Sequence, residues 1–428
     1  MFKTKLTKWS RLDNAAKIFP ATSGKKDVRV FRFACELTEE VDPIVLQQAL
    51  NGTMESFPLF RSVLRKGLFW YYFESSELEP VVKEEYRPPC SSIYIRDQKN
   101  LLFEVTYFHK RINFEVFHAL TDGTGALHFL RMLVYSYLTM KHRDVFAHNM
   151  PVIDYDASHE AQKDDSFQKY YSDEWKKANK QLKQDIPKYR AFQLKGERIE
   201  YGHMQITEGV MSAKAVLAKA KEYNTTMTVL LTAVLLCSIQ MEMTVRQKKK
   251  PVSLMIPVNL RNYYPSNSAR NFFGWIDIGY DFLRDSDQLE DVIEFVKQFF
   301  KKELTKERMA IRMHELISLE CNPILRMVPL ELKTLFIQIG SVLSFSSDTA
   351  IFSNIGKITM PEPFAPYIRL FDVFTSTPKK ELSICSYNDN LVLTVSSQFE
   401  STDIEKNFFR ILSGMGIEIE IAAKRYKT

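Results

Sequence analysis

The sequence predicts an α/β chain folded as two α+β sandwiches, and three observations carry that prediction. Its 428 residues are roughly two to three times the ~100–200 of a usual domain. Both halves mix alternating, strand-like segments with helically spaced ones. Between them lies a densely charged stretch with few aliphatics, DYDASHEAQKDDSFQKYYSDEWKKANKQLKQD. The lobes are therefore read as 1–150 and 201–428, with 151–200 as a charged bridge. With 45% hydrophobic residues, and 31 Phe and 19 Tyr against 14 Gly, the chain can fill large cores, which excludes disordered, collagen-like and disulfide-knotted classes.

In the first lobe, VRVFRFACEL (28–37) alternates as a strand, and PIVLQQALNGTMES (43–56) has helical spacing with Pro in its first turn. The aromatic run 68–73, then 101–108 and 111–118, read as further strands. Residues 125–140 place Leu127, Leu130, Val134 and Leu138 on one helical stripe. After the bridge come a strand at 201–211, an Ala-rich helix at 212–223, and a second helix that Asn224, Thr225 or Thr226 can cap. Strands follow at 252–258, 276–282, 351–353, 368–374, 382–387 and 391–397, with helices at 286–302 and 402–412. No repeat of 20–50 residues is visible, which argues against a solenoid or propeller.

The five cysteines, Cys35, Cys90, Cys237, Cys321 and Cys385, form no CxxC pair, which suits a reducing compartment. The charged N-terminus lacks a secretory h-region, and the longest apolar run, Thr226 to Gln240, falls short of the ~20 residues that span a bilayer. These features predict a cytoplasmic protein without a membrane span. A net charge of +6 is spread among interspersed acidic residues and marks no nucleic-acid surface.

The sharpest local feature is His118-Ala-Leu-Thr-Asp122-Gly123 at a strand end. His118 shares a strand face with Ile112, Phe114 and Val116, and a neutral imidazole there can act as a general base. Gly123 gives the backbone freedom or room for a substrate. The same residues also have a plain structural reading: Asp122 or Thr121 capping the next helix, Gly123 making the turn, His118 bonded in the core. A second feature, Pro257-Val-Asn-Leu-Arg261-Asn-Tyr-Tyr-Pro265 followed by Arg270-Asn-Phe-Phe-Gly274-Trp275, joins a buried strand to a loop and an aromatic-Gly turn.

Together these residues resemble the superfamily of chloramphenicol acetyltransferase, condensation domains and plant alcohol acyltransferases, whose shared element is His-x-x-x-Asp-Gly. The resemblance is closest to bacterial alcohol-acetyltransferase-like proteins, whose opening segment is similar to Leu12-Asp-Asn-Ala-Ala-Lys-Ile-Phe-Pro20. It runs in order along nearly the whole chain and implies two chloramphenicol-acetyltransferase-like lobes with the active-site channel between them. It further implies transfer of an acyl group, acetyl first, from a CoA thioester to an alcohol or amine. His118 would be the general base, and Asp122 would pair with Arg261 to shape the site, with Arg270 as the alternative partner. Acyl-CoA is then a co-substrate, with no tightly bound cofactor and no metal.

Two departures narrow the choice. Condensation domains carry two adjacent histidines, where this chain has Phe117 before His118, and the late Asp-Phe-Gly-Trp-Gly of the plant enzymes is absent. Candidates for the oxyanion donor are Ser353, Asn354, Ser396 and Ser397, at strand ends. Lys248, Lys249 and Lys250 are candidates for the CoA phosphate, beside the plainer reading of a solvated loop. His128 lacks partners at metal-ligand spacing, and no Walker, GxGxxG or GxSxG motif is present. Two alternatives stay open: a condensation-type enzyme with an acyl-carrier-protein donor, and an inactive binding module. Two lobes in one chain predict a monomer.

Overall fold

The computed structural model describes residues 9–147, 149–153, 165–170, 189–321 and 326–424. Most of the expected bridge, 151–200, lies outside the described residues.

One lobe is built on a five-stranded sheet in the order β12 (Ile368–Thr375), β2 (Val30–Leu37), β7 (Arg111–Phe117), β6 (Phe103–Phe108), β5 (Lys83–Glu84). Strand β2, second from the edge, pairs antiparallel with β7 on one side, Val30 opposite Phe117, and with β12 on the other, Phe31 opposite Thr375. The 201–428 half thus contributes β12 to the sheet of the first half. Helices α1 (Ile18–Thr22), α2 (Pro43–Ser56) and α3 (Gly123–Lys141) belong to this lobe. Asp42 caps α2 by accepting from the N–H groups of Ile44 (2.9 Å) and Val45 (3.1 Å), and Pro43 occupies its first position. Phe33, Phe60, Phe114 and Phe129 fill the core, with Phe114 and Phe129 stacked at 4.6 Å.

The second lobe carries a seven-stranded sheet in the order β10 (Phe273–Tyr280), β9 (Val252–Asn259), β11 (Ala350–Ile358), β13 (Lys380–Tyr387), β14 (Asn390–Ser397), β8 (Gln205–Ser212), β15 (Ile419–Lys424). Its helices are α4 (Ala213–Glu222), α5 (Met227–Met241), α6 (Leu289–Glu303), α7 (Lys306–Cys321), α8 (Leu330–Phe345) and α9 (Asp403–Gly414). Helix α5 is apolar on every side and is buried from Val229 to Ile239, packed against α6 and α9. No single helix among the described residues is long and apolar enough to cross a membrane.

A third, small sheet joins β1 (Trp9–Arg11), β4 (Tyr71–Ser75) and β3 (Ser62–Lys66). The aromatic run expected as a strand at 68–73 therefore begins pairing only at Tyr71. Gly67 N–H donates to Trp70 O (2.9 Å), closing a tight turn that leaves Leu68 and Phe69 exposed. Helices α7 and α8 and strand β15 had no counterpart in the sequence reading.

One irregularity of the large sheet positions the site. Strands β9 and β11 pair in parallel only at Ala350–Leu254 and Ile351–Met255, after which β11 bulges between Asn354 and Gly356. The sheet splits there. Pro257, which has no N–H for a ladder, and Asn259 stand on one side of the split, with Ser353 and Ile355 on the other.

Candidate active site

A cavity of about 350 Å³ opens at this split, lined from the first lobe by Phe19, Phe31 and His118, among others. His118 follows the last residue of β7, and its backbone N–H donates to the carbonyl of Arg29 (2.8 Å). Arg29 has a φ of 57°, an uncommon backbone state for a side chain of that size, and it lines the cavity too. The imidazole stacks on Phe19 at 4.3 Å and 15°, and meets the edge of Phe31 at 4.9 Å.

Side-chain hydrogen bonds fix the ring's proton. His118 Nδ1 lies 3.1 Å from Asn271 Oδ1, while Asn271 Nδ2 donates to Asp13 Oδ2 (3.2 Å). A carboxylate oxygen accepts from the amide NH₂, so Asn271 turns its oxygen to the ring, Nδ1 carries the hydrogen, and Nε2 keeps its lone pair. Burial pushes the imidazole's pKa below its usual 6.5, opposed by a hydrogen bond to its own backbone, the charge of Asp122 and the bond to Asn271. Burial therefore favours the neutral ring. Asp13 is itself fully buried, with Oδ1 accepting from Ala16 N–H (2.8 Å) and Oδ2 also from Asn271 N–H (3.3 Å). Burial raises its carboxyl to about 7 against those bonds and the charge of Arg270.

The hydrogen bonds of the Asp122 carboxylate go to groups other than His118. Its Oδ1 accepts from the N–H groups of Thr124 (3.1 Å) and Gly125 (3.0 Å), capping α3. Its Oδ2 accepts from Arg261 Nη1 (2.7 Å) and Phe272 N–H (2.8 Å). The cap and the salt bridge both exist, on different oxygens. Arg261 Nη2 donates to the carbonyls of Ser268 (2.9 Å) and Arg270 (2.7 Å), and Thr121 Oγ1 donates to the carbonyl of Ala269 (2.5 Å). The motif thus grips the loop 268–272, which presents Asn271 to His118. Arg270, the reserve partner for Asp122, instead donates to the carbonyl of Arg11 (2.7 Å).

Gly123 is the first residue of α3 and lines the cavity. Its φ is not positive, and a Cβ there would meet only the tip of Ile355 at 3.2 Å. The expected need for an unusual turn conformation falls instead on close approach at Gly125, where a Cβ would run into Thr121 Oγ1 and the carbonyl of Ala269.

Of the four oxyanion candidates, Ser353 and Asn354 line the cavity. Asn354 is engaged at both ends, donating to Thr228 Oγ1 (2.8 Å) and accepting from Gly356 N–H (2.8 Å). Ser396 and Ser397 are buried in β14, one strand beyond the β11–β13 wall, and do not line the cavity. Lys248 and Lys249 sit in a helical turn before β9, with Lys250 just after it, and none of the three lines the cavity.

Sequence reasoning missed Phe19, Arg29, Asn271 and Asp13 as site residues. Asp13 and Asn271 lay inside quoted segments, but nothing in the local pattern of either signals a partner 258 residues away.

No family model matches the chain, and no curated protein matches it in sequence. Solved structures match it in fold. The first condensation domain of the calcium-dependent antibiotic synthetase is 13% identical, with a TM-score of 0.64 over 95% of this chain and 96% of that one. The trichothecene 15-O-acetyltransferase of Fusarium sporotrichioides is 12% identical, with a TM-score of 0.63 over 95% and 94%. The starter condensation domain of rhizomide synthetase, solved with C8-CoA, is 11% identical, with a TM-score of 0.62 over 95% and 94%. The chain has the two-lobed, chloramphenicol-acetyltransferase-like fold of the condensation domains.

Proposed function

We propose that this protein transfers an acyl group from a thioester, acyl-CoA, to a hydroxyl or amine acceptor, with His118 as general base. The observation that carries the reading is the imidazole whose Nδ1 hydrogen is held by Asn271, leaving a basic Nε2 on a ring that lines the cavity. Support comes from neighbours of the same fold that include an acetyltransferase and a domain solved with C8-CoA.

In the proposed reaction Nε2 removes the acceptor's proton as its oxygen or nitrogen attacks the thioester carbonyl. The tetrahedral oxyanion collapses, the C–S bond breaks, and the imidazolium returns the proton to the departing thiolate. No acyl-enzyme forms. Ser353, which lines the cavity, is the proposed oxyanion donor, and such a donor is worth about 2.7–4 kcal/mol. Asp122 and Arg261 act through position, by holding the loop that carries Asn271. Residues of both sequence halves, His118 and Ser353 among them, line this cavity. Cys35, Cys90, Cys237 and Cys385 are free and buried, which suits a reducing, CoA-containing compartment.

The test is free-thiol release from acetyl-CoA and longer acyl-CoAs across alcohols and amines, comparing wild type with His118→Ala. Acceptor-dependent release that vanishes in a folded His118→Ala protein supports the reading. The alternative donor that the resemblance to condensation domains implies, an acyl carrier protein, is tried where CoA thioesters give no release. No release from either donor leaves a binding module of the same fold.

A further inference from the structure

The cavity holds a second polar region that the proposed proton transfer does not use. Glu381 and Ser383 stand two residues apart on β13 and share a face, and Ser383 lies beside Ser353 of β11 in register. Both line the cavity, together with Asp27, Arg29 and Ser376. Glu381 is 7% exposed, and the hydroxyl of Ser383 bonds its carboxyl.

Asp27 is already engaged: Oδ1 accepts from Arg29 N–H (2.9 Å) and Ser376 Oγ (3.2 Å), and Oδ2 lies 3.1 Å from Arg29 Nη1. The guanidinium in this part of the wall thus pairs with Asp27. Glu381 makes no ion pair among the described residues. Burial, reinforced by the negative charge of Asp27 and opposed by Arg29 and Ser383, holds its carboxyl up to about 8. Such a group disfavours its own charge until a cation arrives beside it, and a buried carboxylate is stable only when paired. It stands in the wall of an open cavity, within reach of a ligand's cation.

We propose that Glu381 recognises the acceptor, which carries a protonated amine in addition to the group that His118 deprotonates. Ser383, whose hydroxyl bonds the Glu381 carboxyl, keeps lone pairs for a further ammonium hydrogen. The acceptor class is then an amino alcohol or a diamine with one free and one ionised nitrogen, rather than a simple aliphatic alcohol. Phe19 and Phe31 add apolar surface to the same cavity, which suits a methylene stem. This inference rests on the acyl-transfer reading of the same cavity.

The test uses the full chain with acetyl-CoA and matched acceptors of equal length: 3-aminopropanol to 5-aminopentanol against butanol to hexanol. Wild type is expected to show the lower KM for the amino alcohol of each pair. Glu381→Gln is expected to raise the ratio of amino-alcohol KM to alcohol KM about ten- to hundredfold, as for a charge-assisted hydrogen bond. Equal KM values in wild type overturn the proposal without need of any variant, as does an unchanged ratio in a folded Glu381→Gln protein. Absence of thiol release with every acceptor counts against transfer from acetyl-CoA. Calorimetric titration with propylammonium chloride then decides the inference separately: binding lost in Glu381→Gln upholds it, and no binding to wild type overturns it.

Discussion

Replacing Asp122 separates a structural carboxylate from a catalytic one. The side chain accepts four hydrogen bonds: two from the first turn of α3, one from Phe272 N–H and one from Arg261. Loss of a helix cap costs about 1 kcal/mol. Breaking a buried ion pair from one side costs about 3–5 kcal/mol, because Arg261, a tenth exposed, keeps its charge. Asp122→Ala is therefore expected to lose about 4–6 kcal/mol, a large share of the ~5–15 kcal/mol of a folded domain. Asp122→Asn retains an oxygen for the cap and is expected to lose about half as much, ~2–3 kcal/mol. Urea melts followed by tryptophan fluorescence measure both. In the double variant Asp122→Asn/Arg261→Gln the losses are expected to fall short of their sum by about 1–3 kcal/mol, since neither charge is stranded. Turnover falls with stability in this account, because the same contacts hold Asn271 against His118. An Asp122→Asn protein that melts like wild type yet loses turnover a hundredfold would refute the reasoning and place Asp122 in the chemistry.

Three further outcomes follow from the geometry. Asn271→Ala removes the acceptor that fixes the imidazole, so kcat is expected to fall about tenfold, and the ¹⁵N signals of His118 to report loss of the fixed Nδ1–H form. With an alcohol acceptor, kcat/KM is expected to rise with pH through a midpoint below 6.5 and then stay level. Burial lowers the His118 pKa, and the neutral ring above that value is the working base, so a midpoint at or above 7 contradicts the site. Gly125→Ala is expected to destabilise by about 1–3 kcal/mol despite alanine's better helix propensity, because its Cβ meets the Ala269 backbone, whereas Gly123→Ala displaces only the end of Ile355 and melts near wild type.

Most regular elements were legible in the sequence because alternation and helical spacing report burial directly. Strand β2, helix α2 and the run β11 to β14 lie close to where the pattern put them. Helix α8 was not legible for the opposite reason: it buries Lys333 and Thr334 while Leu335, Phe336 and Val342 face solvent, an inverted pattern. His118, Asp122 and Arg261 were readable because their motif and spacing are distinctive, and the geometry brings Asp122 and Arg261 together. Asp13 and Asn271 were not, since the contact joining them spans the two lobes and depends on the loop that Arg261 threads. Ser396 and Ser397 were misleading because a strand end in sequence does not say which strand bounds a cavity.

Strand β12 carries a consequence for how the molecule comes into being. Its eight residues, Ile368–Thr375, complete a sheet whose other members end by Phe117, and β2 is an interior strand only because β12 covers it. During synthesis that flank of β2 stays an open edge, with unpaired N–H and C=O groups, until most of the chain has emerged. Pairing so distant in sequence closes late, so folding is expected to be slow and exposed to aggregation on the way. A fragment cut within the bridge inherits the same open edge. The two lobes are thus born as one cooperative object, and neither half is expected to be recoverable from the other by dissection.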